Sequence, residues 1–263
     1  MLLGVVIGDV AGSRFEARNY RHTDFEMFAL ESRITDDTVC TVAVAEWLRA
    51  GAGDDLPVIM RRWCRGRYFG VGYGRDFIKW LNSDNPQPYA SEGNGSAMRV
   101  SPVGWAFATL EETLCYAEKS AAITHNHPEG IKGAQAVAAA IFWARNGHDK
   151  TFIKENIASR FGYDLLATCD DIRPHFKHRP VCAYTVPPAI IAFLESTDFE
   201  HAIRLAVSLG GDCDTVAAIT GSIAEAFYGK IPDALVAGVM PYIPEKMRDI
   251  LRYFGWQSDA HAS

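Results

Sequence analysis

The 263-residue chain lacks any uninterrupted apolar run long enough to cross a bilayer, since a spanning helix needs about 18 to 20 such residues. Its apolar start lacks the basic residues of a secretory leader, and Asp9 interrupts it early. The six cysteines include no CxxC pair, which is typical of reduced, buried thiols rather than of a disulfide framework. These absences predict a cytoplasmic protein with no membrane partner.

The chain also lacks an excess of positive charge. It has 26 Lys and Arg against 32 Asp and Glu, which gives a net charge of −6. Surfaces that coat nucleic acid are usually basic, so we expect no nucleic-acid partner except a nucleic acid that is itself a modified substrate. The basic stretch at residues 173–179 is the local exception, and the sequence predicts it to be solvent-exposed surface.

No segment shows the strict alternation of apolar and polar residues that is typical of a half-buried strand. Helical periodicity dominates, with Gly or Pro breaks about every 10–20 residues. No linker or shift in composition divides the chain. We therefore predict one compact all-α domain over residues 1–263, with a disordered tail after about residue 257. A monomer is expected, because no long heptad pattern or edge strand is evident.

A stripe of glycines runs along the first predicted helix. Gly4, Gly8 and Gly12 recur at every fourth position and therefore share one helical face. Glycine within a helix costs about 1 kcal/mol relative to alanine, so another backbone or a ligand is expected to approach this face closely. Asp9 and Glu16 are seven residues apart and would share a face of the same helix. Taken alone, Glu16 is equally well explained as a solvated charge near a helix end.

Two short acidic segments open predicted helices far apart in the chain. They are Thr35-Asp36-Asp37-Thr38 and Gly210-Gly211-Asp212-Cys213-Asp214-Thr215. Each alone is well explained by helix capping. If the fold brings both together, four carboxylates converge, and they cannot all stay ionised without a cation. Oxygen ligands with no His or Cys among them favour a hard ion such as Mg²⁺, Mn²⁺ or Ca²⁺ over zinc.

Two further segments carry polar chemistry. The first is Ser91-Glu92-Gly93-Asn94-Gly95-Ser96-Ala97-Met98-Arg99. Its glycines let backbone N–H groups approach an anion closely, and Ser96 is placed to cap the next helix; an ordinary capped loop explains the segment equally well. The second contains His125 and His127, which lack a third nitrogen or sulfur ligand and therefore favour a polar loop over a zinc site. The GxGxG run at residues 70–74 follows no predicted strand and is only a weak sign of dinucleotide binding.

Taken in order, these segments resemble the ADP-ribosylglycohydrolase family. The matching pieces are Gly8-Asp9-Val10-Ala11-Gly12-Ser13-Arg14-Phe15-Glu16, Thr35-Asp36-Asp37-Thr38, Gly93-Asn94-Gly95-Ser96-Ala97-Met98-Arg99, Thr124-His125 and Gly210-Gly211-Asp212-Cys213-Asp214-Thr215. Five motifs in the family's order are far more specific than any one of them. The resemblance implies an all-α orthogonal helical bundle that hydrolyses the bond between ribose C1″ of ADP-ribose and an acceptor.

The resemblance also implies cofactors and site residues. It implies two divalent cations, Mg²⁺ or Mn²⁺. The implied metal ligands are Thr35, Asp36, Asp37, Asp212, Asp214 and Thr215. The implied catalytic carboxylates are Glu16, Asp36 and Asp37, one of which accepts a proton from the attacking water. The implied substrate-binding residues are Ser91, Glu92, Gly93, Asn94, Gly95, Ser96, Met98 and His125, with the glycine loop against the pyrophosphate.

The implied activity is release of ADP-ribose from an ADP-ribosylated protein or small-molecule conjugate, first of all a protein arginine N-glycoside. Serine-linked, O-acetyl and nucleobase-linked ADP-ribose are alternatives, as is a binding module without turnover. A two-metal phosphoester or pyrophosphate hydrolase fits the acidic segments equally well on chemistry alone. Glu225 departs from the family pattern, which often has glycine there. It adds a carboxylate to the metals if it faces the cleft, and has no consequence if it faces outward.

Overall fold

The computed structural model of the chain describes residues 2–16, 18 and 20–254. This part of the chain folds into α-helices and short 3₁₀ turns and contains no strand, only an isolated bridge between Gly93 and Val181. The sequence-based prediction of an all-α fold is confirmed. None of the described helices is both long and apolar enough to cross a membrane. The disordered tail predicted after residue 257 lies outside the described residues.

The helices follow one another along the chain with short connections. They are α1 Gly4–Gly12, α2 Asp36–Arg49, α3 Leu56–Cys64, α4 Arg75–Asn82, α5 Gly95–Met98, α6 Ser101–Ala106, α7 Leu110–Ala122, α8 Pro128–Arg145, α9 Lys150–Phe161, α10 Cys169–Ile172, α11 Cys182–Glu195, α12 Phe199–Ser208, α13 Cys213–Tyr228, α14 Asp233–Val239 and α15 Glu245–Tyr253. Several begin at a side chain that accepts a first-turn N–H, namely Thr35, Thr109, Asp149, Thr168 and Asp198. Each such cap contributes about 1 kcal/mol to helix stability.

Helix α13 lies at the centre of the core. Every residue from Cys213 to Ala226 is buried, and α1, α8, α11 and α12 pack around it. Helix α1 is also buried along its whole length. Apart from the buried carboxylates Asp9, Asp214 and Glu225, both helices carry apolar, small or hydroxyl side chains on all sides, because a helix that is surrounded by others has no face left for water.

The glycine stripe of α1 lies directly against α13. A Cβ added at Gly4 would lie 2.1 Å from the carbonyl oxygen of Gly221, and one at Gly8 would lie 2.1 Å from that of Ala217. A Cβ at Gly12 would lie 2.4 Å from the Cα of Asp214. Any side chain larger than hydrogen would therefore push the two helices apart. The prediction that another backbone approaches this face is confirmed.

Helix α1 ends at Gly12, so Glu16 does not continue its helical face. The N–H of Ser13 donates to the carbonyl of Asp9, and the N–H of Phe15 then donates to Gly12 in a tighter turn. Stacking of Phe15 on Tyr20, with ring centroids 4.4 Å apart, accompanies the change of direction. The prediction of a shared helical face with Asp9 is wrong. Glu16 is half-buried in a turn.

The sequence favours a start at Val186 for the helix that contains Pro187 and Pro188, because proline is common in the first turn of a helix. Helix α11 begins at Cys182 rather than at Val186, so that Pro187 and Pro188 lie inside the helix. Its first N–H, on Cys182, donates to the carbonyl of Glu92 over 2.9 Å. This long-range contact, which local periodicity does not reveal, joins the start of α11 to the glycine-rich segment.

Candidate active site

A cavity of about 330 Å³ opens beside the first turns of α2 and α13. Its walls include residues of all the separate sequence motifs. Those on the wall are Glu16, Asp36, Asp37, Ser91, Gly93, Asn94, Gly95, Met98, Arg99, His125, Asp212, Asp214 and Thr215. The fold therefore brings together side chains that lie as far apart in sequence as Glu16 and Thr215.

Three buried carboxylates form the first acidic cluster. One oxygen each from Asp9, Asp37 and Asp214 lies within 4.8 Å of the others. Thr35 donates to Asp9 twice, from its N–H over 2.9 Å and from its hydroxyl over 2.8 Å, and Thr38 donates to Asp9 from its N–H and its hydroxyl. Asp9 therefore fastens the start of α2 to α1.

Asp9 was not among the predicted ligands. The signal that marks it is a single carboxylate inside an otherwise apolar, glycine-striped helix. A carboxylate in such surroundings requires partners, because burial of an unpaired charge is costly.

Asp37 is the least satisfied member of this cluster. Its Oδ2 accepts from the hydroxyl of Thr215 over 3.2 Å, but its Oδ1 is buried with no hydrogen-bond partner in the described part of the chain. An orphaned, buried carboxylate oxygen that lies among other carboxylates is a site at which a cation restores the missing interaction.

Burial and mutual repulsion raise the pKa values of the clustered carboxylates. Loss of water contact raises the pKa of Asp36 to about 8, and repulsion from Asp9 adds to the rise. Burial raises the pKa of Asp37 and of Asp214 well above the usual range, and repulsion between the carboxylates adds to both shifts. Such a group of acids stays ionised only when positive charge is bound among them. The oxygen-rich donor set fits a hard divalent cation.

A second cluster lies at the edge of the same cavity. Single ligand atoms of Glu16, His178 and Asp212 lie within 4.8 Å of one another. Asn94 orients Asp212 by donating from Nδ2 to Oδ2 over 2.7 Å. Burial raises the pKa of Glu16, and repulsion from Asp212 contributes next.

His178 is a site residue that the sequence did not indicate. It belongs to the basic stretch that was predicted to be only surface, and although its side chain is exposed it forms part of the cavity wall. The nearby Pro180 also lines the cavity. No spacing or periodicity in the sequence links this stretch to the acidic motifs, so only the tertiary fold shows the contact.

The glycine-rich segment packs against the ring of His125. A Cβ at Gly93 would lie 3.3 Å from Nε2 of His125, and one at Gly95 would lie 3.0 Å from it. Small residues are therefore required on this wall. Neither glycine has a positive φ angle, so close approach, not backbone conformation, explains them.

A buried chain of hydrogen bonds fixes the His125 ring. Arg99 donates to the hydroxyl of Thr124 over 2.8 Å, and that hydroxyl lies 2.7 Å from Nδ1 of His125. Burial lowers the pKa of His125 well below its usual value, and the charge of Arg99 adds to the effect. The ring is therefore neutral near pH 7. In the tautomer in which the Thr124 hydroxyl donates to Nδ1, Nε2 carries the proton and is a donor beside the two glycines.

Three of the predicted site residues do not line the cavity. Glu92 is exposed, and its backbone carbonyl is bound by α11. Ser96 is buried inside α5 and donates to the carbonyl of Gly130 over 2.7 Å, while Asn94 occupies the cap position. The prediction that Ser96 caps this helix is therefore wrong. The Thr35 hydroxyl is directed at Asp9, although its second lone pair stays available to a cation.

The loop at residues 70–74 closes the cavity over Asp36. Gly72 has a φ angle of +132°, and a Cβ there would lie 2.4 Å from Oδ1 of Asp36. Only glycine meets both conditions without strain. Gly74 and Tyr89 lie on the same cavity wall. The sequence had marked this loop only as a weak dinucleotide signal, whereas the structure places it at the acidic centre.

Glu225 faces neither the cleft nor the solvent, which are the two positions that the sequence left open. It is 8% exposed, and its carboxylate accepts from the N–H of Leu3 over 3.2 Å and from the N–H of Gly4 over 2.8 Å. Burial raises its pKa to about 7. Glu225 therefore binds the start of α1, at the opposite end of that helix from the acidic centre.

The fold and the cavity together define an all-α protein with a carboxylate-rich centre beside a glycine-lined donor site. The family model for ADP-ribosylglycohydrolase matches residues 1–258. The chain therefore belongs to the ADP-ribosylglycohydrolase family, as its motifs predicted, and is a hydrolase of glycosidic bonds.

Individual relatives agree with this assignment. A solved structure described as an ADP-ribosylglycohydrolase-related protein complex aligns with a TM-score of 0.75 at 26% identity, covering 98% of this chain and 96% of that one. ADP-ribosylarginine hydrolase Tri1 of Pseudomonas putida (strain GB-1) is 27% identical over 94% of this chain and 72% of its own length. ADP-ribosylhydrolase ARH3 of Mus musculus is 24% identical, with coverage of 89% and 84%.

Proposed function

We propose that this protein is a divalent-metal-dependent hydrolase that releases ADP-ribose from arginine-linked acceptors. The observation that carries the proposal is one cavity with a crowded carboxylate centre near Asp36 and Asp37 and a neutral donor, His125, beside Gly93 and Gly95. ADP-ribose needs both features, because its ribose hydroxyls suit a cation site and its pyrophosphate needs hydrogen-bond donors.

The arginine linkage rests on two further points. A relative that aligns with 94% of this chain is named an ADP-ribosylarginine hydrolase. Glu16 and Asp212 also present two carboxylates at one edge of the cavity. Paired carboxylates suit a guanidinium group, which donates several hydrogen bonds in a planar fork.

We assign two cations, Mg²⁺ or Mn²⁺, to the acidic centre. The residues that would hold them are Thr35, Asp36, Asp37, Asp212, Asp214 and Thr215, with Asp9 fixing the start of α2. The orphaned Oδ1 of Asp37 and the raised pKa values of the cluster support this assignment. When bound, divalent ions supply compensating charge, orient hydroxyl groups and make water more acidic.

The chain's own residues then position the substrate and move protons. Nε2–H of His125 donates to a phosphate oxygen, and the absence of side chains at Gly93 and Gly95 gives the pyrophosphate room. This binding holds ribose C1″ at the carboxylate centre, where orientation lowers the barrier to reaction.

Hydrolysis follows the chemistry of glycosides. The oxygen of water bonds to C1″ as the bond from C1″ to the guanidine nitrogen breaks, through an oxocarbenium-like state. The electron pair of the broken bond stays on that nitrogen. One carboxylate accepts the proton of the water and passes it through solvent to the nitrogen of the released guanidine, which restores the ionised carboxylate. Glu16, Asp36 and Asp37 are the candidates for this carboxylate, because all three line the cavity and burial raises the pKa of each.

Product analysis by mass spectrometry tests the proposal. The protein is incubated with arginine-, serine- and acetyl-linked ADP-ribose in Mg²⁺, in Mn²⁺ and with EDTA. We expect metal-dependent release of ADP-ribose from the arginine conjugate, loss of that release in Glu16→Gln, and retention in Glu155→Gln, a matched change at an exposed residue of α9. Release of AMP would instead show pyrophosphate cleavage, and binding without any product would show a reader of ADP-ribose. The monomeric state and the cytoplasmic location stay predictions.

A further inference from the structure

A second cavity, of about 740 Å³, adjoins the first. Glu16 and His178 line both cavities. The remaining wall is formed by residues 174–177, Arg21 and Gly211. A group released at Glu16 therefore has direct access to this second space, which we call the outer groove.

The wall of the outer groove is held in place by tertiary contacts. The guanidinium of Arg21 donates to the carbonyl oxygens of Arg173, Phe176 and Leu209. The ring of Phe176 stacks on Tyr184 with centroids 5.6 Å apart. These hydrogen bonds to one guanidinium and the stacked ring keep residues 173–177 in one conformation. The groove is therefore pre-formed rather than created by its occupant.

The same wall is packed against the acidic motif. Gly211 has a φ angle of +65°, and a Cβ there would lie 3.0 Å from the ring of Phe176. Gly211 immediately precedes Asp212, which belongs to the Glu16–His178 cluster. The outer groove and the carboxylate centre are therefore two parts of one rigid arrangement.

The charge of the outer groove is opposite to that of the rest of the protein. Its described wall carries the cationic side chains of Arg21 and Lys177 together with His175 and His178, in a chain whose net charge is −6. Lys177 is exposed, and its ammonium group has no ion pair or hydrogen bond within the described residues. Glu16, at the junction with the first cavity, is the only carboxylate on the described wall of the groove.

We propose that the outer groove receives the polypeptide that carries the ADP-ribose and selects proteins in which acidic residues flank the modified arginine. The inference rests on the proposed function, since it requires the acceptor to leave at Glu16. The guanidinium itself meets Glu16 and Asp212, while neighbouring Asp or Glu side chains meet Lys177 and His175. Complementary charge raises the rate of encounter, and basic flanks are repelled by the same wall.

Peptides of equal length test this specificity. Each carries one ADP-ribosylated arginine, which is flanked by Glu in one peptide and by Lys in the other. The kcat/KM for each peptide is divided by the kcat/KM for free ADP-ribosylarginine. At low ionic strength we expect the acidic peptide to be preferred about tenfold, with the preference falling as salt rises. The dissociation constants of the two peptides are expected to show the same order, and they can be measured without turnover.

Charge reversal identifies the residue responsible. Lys177→Glu should reduce the normalised preference for acidic flanks about fivefold or more. Lys230→Glu is the matched control, because Lys230 is also exposed and lies outside the groove, and it should keep the preference of the unaltered protein.

Three results would overturn the inference. They are equal kcat/KM and equal affinity for the two peptides at low salt, a preference that persists in Lys177→Glu, and a stronger dependence on Lys177 for an ADP-ribosylated oligonucleotide than for the acidic peptide. Failure to hydrolyse free ADP-ribosylarginine would instead contradict the proposed function, and the peptide affinities would still decide the role of the groove.

Discussion

Helix α13 carries two buried carboxylates, Asp214 near its start and Glu225 near its end. Both lie where α13 meets α1, against Gly12 and Gly4 respectively, and burial raises the pKa of each. Their partners differ. Glu225 accepts from two backbone N–H groups at the start of α1. Asp214 accepts from one, that of Thr215, over 3.0 Å, and is crowded by other carboxylates, including Asp37.

The difference shows that burial and a raised pKa do not by themselves mark a cation site. The two N–H groups around Glu225 replace the water that the carboxylate loses, and they satisfy helix donors that would otherwise be unpaired. Around Asp214 and Asp37 the neighbours add negative charge, and Oδ1 of Asp37 has no donor in the described part of the chain. The unpartnered Oδ1 of Asp37 and the like charges around Asp214, taken together, distinguish the acidic end of α13 from the end at Glu225.

Conservative amide substitutions are expected to give the largest difference in activity between the two carboxylates. We expect Asp214→Asn to lower kcat/KM for ADP-ribose release by about a thousandfold or more, because it removes a proposed ligand from the acidic centre. Glu225→Gln should change kcat/KM by less than about threefold, since Glu225 is at the far end of α1. Steady-state kinetics on one arginine conjugate measures both, and equal losses in the two variants would contradict the distinction.

The glycine stripe of α1 allows α1 to lie directly against α13 from Asp214 to Glu225. In Gly8→Ala the new Cβ would meet the backbone of Ala217, and we expect the free energy of unfolding to fall by about 2–4 kcal/mol. Gly53→Ala is the control, because the nearest atom to its Cβ is a side-chain oxygen of Asp55 at 3.7 Å; it should change stability by less than about 1 kcal/mol. Denaturant titration compares the two, and equal effects would exclude tight α1–α13 contact.

A further expected effect is a pH dependence of stability at Glu225. Its pKa is about 7 in the folded protein against 4.5 for an ordinary glutamate. Between these values the unfolded chain loses its proton while the folded protein keeps it, so the contribution of Glu225 to stability is complete below about pH 4.5 and is lost as pH rises through about 7. The loss amounts to about 3 kcal/mol at most.

Glu225→Gln should be without this dependence, because its amide does not titrate. The quantity to measure is therefore the difference in free energy of unfolding between the unaltered protein and the variant, at pH 5 and at pH 8. A constant difference across that range would contradict the role given to the buried carboxylate.

The sequence predicted what local spacing encodes. Four-residue glycine spacing indicated the close contact of α1, and paired Asp and Thr at helix starts indicated an acidic centre. It did not predict which distant segments meet. Glu225 bonds a residue 221 positions away, and both interpretations drawn from its own neighbourhood failed.

The sequence failed to place several residues of the candidate site for the same physical reason. His178 and Gly72 lie on loops, where no periodicity fixes the direction of a side chain. The motif that contains Glu16 correctly indicated that it belongs to the cavity. The sequence also predicted that Glu16 shares a helical face with Asp9, but that helix ends at Gly12. The termination of a helix depends on tertiary contacts such as the stacking of Phe15 on Tyr20, which the local pattern does not contain.

Calorimetric titration of Mn²⁺ into chelator-treated protein tests the central claim most directly, because it compares the two ends of α13 without relying on turnover. We expect saturable binding by the unaltered protein and by Glu225→Gln, and binding weakened about a hundredfold or more in Asp214→Asn. Undiminished binding in Asp214→Asn, or no binding by the unaltered protein, would contradict it.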